Sequence, residues 1–417
     1  MANVKQKLER IVKSAYSEVP FYMNILHERN KSIDDILNGD FESLPFTEKN
    51  KIVERSGDVI SARYIPKYIS KELLFSRTSG STGKYMDIYW EKADFTKSML
   101  PLWIMRKKYY GILPTDRMCC FYTIQEANIK NEQDEYKEEN AWIFSKVNLS
   151  TARIIEIYKK MCEFKPKWLI LQPSIAVLLC QCIKTNSLKG LDSVEYIEFN
   201  GEILTDEVRK LTKEIFDCNI ANQYGANEFN SIAYECPYGN MHVLDSNVYV
   251  EVIDENGKSV TDKSGDICVT TLTNNAMPLI RYKIGDIGTI SERKCKCGNC
   301  SKVISLMSGR KNDFVICEDR TRITSYVFVR AVDNVNIVMD GVVKQFNIIQ
   351  KDINKFIVSF VVEEDENLYQ LEEIFKESVL EDRLAYAEYE FEYFERLLPD
   401  EKTGKLRYFM REMDKVD

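Results

Sequence analysis

Two short apolar runs, Leu169-Ile170-Leu171 and Tyr196-Ile197-Glu198-Phe199, constrain this chain more than any other feature. Each is bounded by helical patterns, so residues 150 to 225 read as helix, strand, helix, strand. Strands separated by helices belong to a parallel-type sheet covered on its faces, which is an α/β fold. From about 240 to 310 the chain becomes strand-rich and punctuated by glycine. The last hundred residues change texture again. Val342 to Gln350 and Lys355 to Val362 read as a hairpin, Leu368 to Glu377 as a helix, and Glu388 to Tyr393 alternates as a half-buried strand does. The expected organisation is a large N-terminal α/β domain, 1–310, with a strand-rich portion at about 236–300. A small mobile C-terminal α+β domain, 311–417, follows it. Residues 3 to 17 read as an amphipathic helix, Thr47 as the N-cap of a short helix, and the acidic stretch Asn131 to Asn140 as a solvated loop or helix face.

The length of 417 residues suits two or three domains, and 44% hydrophobic with 29% charged residues is ordinary for a soluble enzyme. A net charge of -8 argues against nucleic-acid binding, which needs a basic surface. No run is long enough to span a bilayer, and the charged start lacks a signal peptide's apolar stretch, so the expected location is the cytoplasm. Only two histidines, His27 and His242, are present, which disfavours histidine-based hydrolases and multi-histidine metal centres.

Residues Thr78, Ser79, Gly80, Ser81, Thr82, Gly83 and Lys84 combine two glycines, four hydroxyls and an ammonium. Glycine lets the backbone approach closely, and amides and hydroxyls can wrap an anionic oxygen. Walker spacing is missing, and out of context such a run is a surface turn. Further motifs follow in order: Tyr224-Gly225-Ala226-Asn227-Glu228, Ser264-Gly265-Asp266, Arg281-Tyr282-Lys283-Ile284-Gly285-Asp286, Gly309-Arg310 and Thr403-Gly404-Lys405.

This series resembles the acyl-adenylate-forming superfamily of acyl-CoA synthetases, adenylation domains and luciferases. Tyr16 to Tyr22, Leu44 to Lys49, Gly201 to Leu204 and Gln345 to Gln350 extend the resemblance to its phenylacetate–coenzyme A ligase-like, capsular-polysaccharide-type branch. The resemblance implies a magnesium-dependent ligase. It would use ATP to make an acyl-AMP from a small carboxylic acid, with release of pyrophosphate. It would then pass the acyl group to a thiol, of coenzyme A or, alternatively, of a carrier protein. A fold that kept its shape and lost catalysis is a third possibility, disfavoured because Glu228, Asp286 and Lys405 are all present.

The resemblance also implies roles. Residues 78–84 would hold phosphate, and Glu228 would bind Mg2+, which takes carboxylate oxygens. Asp286 would bind the ribose, and Arg310 the ribose or phosphates. Gly201, Glu202, Gln223, Tyr224 and Gly225 would form the adenine slot, although Gln223 and Glu202 are as readily structural. Lys405 would stabilise charge at the α-phosphate during adenylation only. Tyr85 stands where the family commonly has proline, and Asn312 where it usually has aspartate. Trp103, Tyr109, Phe121, Tyr122, Trp142, Phe199 and Tyr234 suit a flat aromatic acid, and suit an ordinary core better.

Cys236-x5-His242 and Cys295-x-Cys297-x2-Cys300 form a separate constellation. Three thiolates and one imidazole make a closed structural zinc site. Cys236, His242, Cys295 and Cys297 are the favoured ligands, with Cys300 the rival for the last place.

Overall fold

The computed structural model describes residues 2–30, 32, 34–35, 41–78, 86–122, 135–146, 149, 151–310, 314–339, 342–362, 367–380, 384–398 and 406–413. They form two compact units, Met1–Leu113 with Ala221–Met307, and Pro114–Ile220 with Ser308–Asp417.

In the first unit the sheet runs Val248–Ile253, Gly265–Thr271, Tyr282–Ser291, Val303–Arg310, Met241–Val243, Asn230–Glu235 and Asn219–Ala226 in spatial order. The register of Val248–Ile253 on Gly265–Thr271, and of Asn219–Ala226 on Asn230–Glu235, is antiparallel. Helices Ala2–Glu18 and Pro20–Glu28 contribute Ile11, Tyr16 and Tyr22, and Val19 between them a fourth side chain, to the core these strands build with Val250, Ile267, Val269 and Tyr282. Each such side chain contributes about 1.5–3 kcal/mol on leaving water. A hairpin of Leu74–Arg77 and Asp87–Trp90 brackets residues 78 to 86.

Thr47 does not cap a helix. The helix Lys49–Glu54 starts at Glu48 with no side-chain cap, and Thr47 is buried in a bridge to Tyr282. Its hydroxyl donates to the Ile280 carbonyl across 2.7 Å, because a buried hydroxyl takes the nearest acceptor.

In the second unit Tyr196–Asn200, Trp168–Leu171, Met118–Tyr122, Ala141–Ser145 and Glu135–Lys137 lie side by side. The first four pair in parallel, as expected of runs buried on both faces. Of the acidic stretch, Glu135–Lys137 is an antiparallel edge strand rather than a loop or helix, and residues 138–140 form an irregular, mostly exposed connection. Glu135 there is held by Arg153 and Lys160. The helix Pro173–Thr185 is apolar nearly all round and begins with proline at its first position, where no backbone N–H is needed.

Residues 314–413 carry their own core, including Val315, Phe328, Ile348, Phe360, Phe375 and Phe409. The hairpin Val343–Asp352 with Lys355–Val362, the helix Leu368–Val379 and the strand Glu388–Tyr393 match the sequence reading. Phe409–Arg411 joins Val343–Asp352 in parallel. Among the described residues no helix is long and apolar enough to cross a membrane.

Candidate active site and metal centre

In the first unit the strand Asn219–Ala226 ends in a turn through Asn227, Glu228 and Phe229, closed by Phe229 N–H on the Ala226 carbonyl at 2.9 Å. The strands bulge between Tyr224 and Gly225. A Cβ on Gly225 would sit 2.2 Å from the Asn230 carbonyl oxygen, so only glycine fits. The turn aims Glu228 inward, where its Oε1 accepts from the Tyr282 hydroxyl at 3.2 Å. Four residues after Tyr282, Asp286 Oδ2 accepts from the Tyr224 hydroxyl at 2.7 Å. Two motifs far apart in sequence are thereby laced together by two tyrosine–carboxylate hydrogen bonds, each carboxylate held by the other motif's ring.

The same turn reaches the base of the hydroxyl-rich loop. Asn227 donates to the Arg77 carbonyl at 2.9 Å, next to Thr78. The buried Thr78 hydroxyl accepts from Met86 N–H at 3.0 Å, which pins both ends of the loop. Ser79 to Lys84 lie outside the described residues, as do Tyr85, Asn312 and Lys405. Arg310 ends the strand Val303–Arg310. Gln223 spends its amide on Ser231 Oγ at 3.0 Å, inside the sheet.

Arg281 behaves unlike its motif neighbours. Its guanidinium is 1% exposed and pairs with Glu251, with nitrogen–oxygen distances of 3.1 and 3.2 Å. It also donates to the carbonyls of Glu42 and Leu44 and covers the Phe46 ring at 4.3 Å. It fastens the strand that carries Tyr282 and Asp286.

In the second unit Gly201 has φ +78°, a left-handed turn that glycine adopts freely. Glu202 follows, with both carboxylate oxygens committed. Oε2 accepts from Ser174 N–H at 2.9 Å, and Oε1 from Ser174 Oγ at 2.9 Å and Leu406 N–H at 3.0 Å. Loss of solvent pushes the Glu202 carboxyl up from its ordinary value, against the pull of those donors. Ser174, Glu202, Gln345, Leu406 and Tyr408 border a cavity of about 520 Å³. Neither Ser174 nor Leu406 carries a sequence signal, because their partner Glu202 is 28 and 204 residues away.

The aromatic residues named from sequence are mostly core. Phe121, Trp142, Phe199 and Tyr234 are buried, Tyr122 is exposed, and Trp103 lies under Arg106 at 4.5 Å.

In the first unit Cys236, His242, Cys295 and Cys297 place one ligand atom each within 4.8 Å of one another. Cys236 and Cys295 sulfurs are 3.7 Å apart, and Cys297 Sγ is 3.2 Å from His242 Nε2. A tetrahedron with metal–sulfur bonds of about 2.3 Å has sulfur–sulfur edges of about 3.8 Å, so the donor set fits a zinc-sized ion. His242 Nδ1 lies 3.1 Å from the Ser301 carbonyl, which makes it the protonated nitrogen and leaves the Nε2 lone pair for the cluster. Burial pushes His242 below its ordinary value, which keeps the ring neutral. Burial pushes the Cys236 thiol up to about 11, the reverse of what a cation would do. Cys297 is raised by burial but lowered more by Tyr109 and the Asn299 amide, and ends below its ordinary value. Cys300 is exposed and outside the group.

The family described as CapK C-terminal domain matches residues 315–412. Protein CapK of Staphylococcus aureus is 24% identical over 369 residues, 86% of this chain and 78% of that protein. Phenylacetate-coenzyme A ligase of Thermus thermophilus is 24% identical over 320 residues, 75% of this chain and 70% of that one. A solved structure of 2-hydroxyisobutyryl-CoA ligase in its postadenylation state matches with a TM-score of 0.77 at 16% identity, over 98% of this chain and 89% of that chain, which establishes the shared fold. The ordered motifs, the tyrosine–carboxylate lacing and these likenesses agree: the chain is similar to the acyl-adenylate-forming superfamily, and within it to the phenylacetate–coenzyme A ligases and CapK.

Proposed function

We propose that this protein is an acid–thiol ligase. It joins a small carboxylic acid to AMP with release of pyrophosphate, then transfers the acyl group to the thiol of coenzyme A with release of AMP. The observation that carries the reading is the pair Tyr282–Glu228 and Tyr224–Asp286, which orients two carboxylates in one unit beside the base of the hydroxyl-rich loop.

In this reading the substrate carboxylate attacks the α-phosphorus of ATP and the pyrophosphate oxygen leaves. Residues 78–84 receive the phosphates through amides and hydroxyls. Asp286 accepts from the ribose hydroxyls, and Tyr224 fixes its rotamer. Arg310 adds positive charge toward the nucleotide. Gly201, Tyr224 and Gly225 supply flat surface for adenine. Gln223 and Glu202 take supporting parts, since each already spends its polar atoms on protein partners. Lys405 stabilises the negative charge that builds on the α-phosphate oxygens. In the second half-reaction the thiol sulfur attacks the acyl carbon, loses its proton and expels AMP.

Glu228 would hold Mg2+, which neutralises phosphate charge when bound. Cys236, His242, Cys295 and Cys297 would hold a structural Zn2+; four protein ligands leave no open position for chemistry. Residues 311–417 act as the mobile domain that carries Lys405, a division supported by the family match at 315–412 and the separate core there. ATP, coenzyme A and twelve unpaired cysteines suit the cytoplasm.

The test is acid-dependent ATP–pyrophosphate exchange over a panel of aryl and alkyl acids, followed by thioester detection with coenzyme A. Exchange with at least one acid, and thioester from the same acid, is expected. Absence of exchange with every acid would overturn the reading.

A further inference from the structure

The family resemblance offers Glu202 either for an adenine slot or for a structural part, and its carboxylate is engaged by protein donors. Ser174 grips it with N–H and hydroxyl at the start of the helix Pro173–Thr185, where unsatisfied amides and the helix dipole favour a carboxylate. The third donor, Leu406 N–H, comes from the far end of the chain. Leu406 directly follows Lys405 in sequence. From these contacts we infer that Glu202 is a positioning residue for adenylation: it fastens the backbone beside Lys405 to the rigid start of the helix Pro173–Thr185. The inference rests on the ligase reading above for the role of Lys405, but the fastening itself rests on Ser174, Glu202 and Leu406 alone.

The contact is built for this purpose in two respects. Ser174 alone would leave one lone pair of Oε1 unsatisfied in a partly buried place, and Leu406 N–H fills it. The neighbourhood also repeats the attachment. Asn347 donates to the Arg407 carbonyl, and the Tyr408 hydroxyl meets Ser325 Oγ at 3.0 Å. These two contacts bind residues 407 and 408 to the C-terminal sheet and helix. Glu202 ties Leu406 to the loop Gly201–Leu204. A transferable hydrogen bond at this point lets the segment leave after acyl-AMP has formed, at the cost of one acceptor rather than a packed surface.

The experiment compares Glu202→Gln, Ser174→Ala and Lys405→Ala in the full chain. Each is assayed for pyrophosphate exchange and, separately, for thioester formation from pre-made acyl-adenylate. Hydrogen exchange is followed in the peptide containing Leu406, and thermal midpoints report folding. Gln keeps size and one acceptor oxygen but replaces the other by a donor. A lost charged hydrogen bond corresponds to roughly ten- to a hundredfold. Glu202→Gln should slow adenylation by about that factor, leave the second half-reaction within about twofold, and speed exchange at Leu406. Ser174→Ala should follow in the same direction with a smaller effect, because Leu406 keeps its acceptor. Equal loss in both half-reactions, or unchanged exchange at Leu406, overturns the inference. Selective loss of adenylation in Lys405→Ala with none in Glu202→Gln also overturns it and leaves the ligase reading standing. Adenylation untouched in Lys405→Ala strikes the ligase reading's assignment instead, while faster Leu406 exchange in Glu202→Gln would still support the fastening.

Discussion

The Tyr282 hydroxyl donates to Glu228 Oε1 across 3.2 Å, and both side chains are buried, at 1% and 8% exposure. In the proposed reading Glu228 takes Mg2+, and a carboxylate with that role gains from being held in one rotamer before the ion arrives. Tyr282→Phe should therefore raise the magnesium concentration for half-maximal pyrophosphate exchange by roughly ten- to a hundredfold, with the rate recovering at excess magnesium. Glu228→Gln should lose rate at every magnesium level, because the amide removes the charge itself. An unchanged magnesium curve for Tyr282→Phe would count against the pairing having any role in the reaction.

Purified protein should contain one zinc per chain by metal analysis. Cys300→Ser should retain it, whereas Cys297→Ser and His242→Ala should lose metal and melt at lower temperature, since structural zinc contributes directly to folding. Retention in Cys297→Ser with loss in Cys300→Ser would move the fourth ligand to Cys300.

Breaking the buried Arg281–Glu251 pair should cost about 3–5 kcal/mol, because the surviving charge has no water. Arg281→Met and Glu251→Leu are each expected to lower the denaturant midpoint strongly. The double variant should recover part of the loss, less than fully, because Arg281 also satisfies the carbonyls of Glu42 and Leu44. Additive losses in the double variant would mean that the two side chains do not act as a pair.

The raised carboxyl of Glu202 makes a signed prediction. A group that holds its proton more tightly when folded contributes stability below the ordinary glutamate range, and loses it as pH rises through the raised value. Glu202→Gln removes that titration. The midpoint of the Gln variant minus that of the wild type should become more positive from about pH 4.5 upward, then level off above the raised value. A flat difference over that span would show that Glu202 titrates normally in the fold.

What the sequence made legible is what short-range pattern encodes. The alternation at Glu388–Tyr393, the hairpin before it and the apolar strands Trp168–Leu171 and Tyr196–Asn200 are readable because their side-chain period decides their faces. Motif order pointed to Glu228 and Asp286, and cysteine–histidine spacing to the cluster of Cys236, His242, Cys295 and Cys297. Hydrogen-bond partners were hidden. Thr47 had the residue type and spacing of a cap, but a strand-like bridge to Tyr282 removed it from the helix. The strand at Glu135–Lys137 was hidden because what holds it, pairing with Ala141–Ser145 and the ion pairs of Glu135 with Arg153 and Lys160, lies outside any local window. Gln223 and Glu202 stand among nucleotide-type motifs, and their hydrogen bonds to Ser231, Ser174 and Leu406 could not be read from the sequence.

The lodging of Arg281 against the carbonyls of Glu42 and Leu44 also imposes an order of events during synthesis. Those carbonyls leave the ribosome more than two hundred residues before the guanidinium that satisfies them. The segment around residues 42–47 must wait, incompletely partnered, until the strand beginning at Tyr282 arrives. Nascent chains halted before residue 281 should thus expose this amino-terminal stretch to proteases and chaperones, and release from that vulnerability should coincide with translation of the motif that holds Asp286.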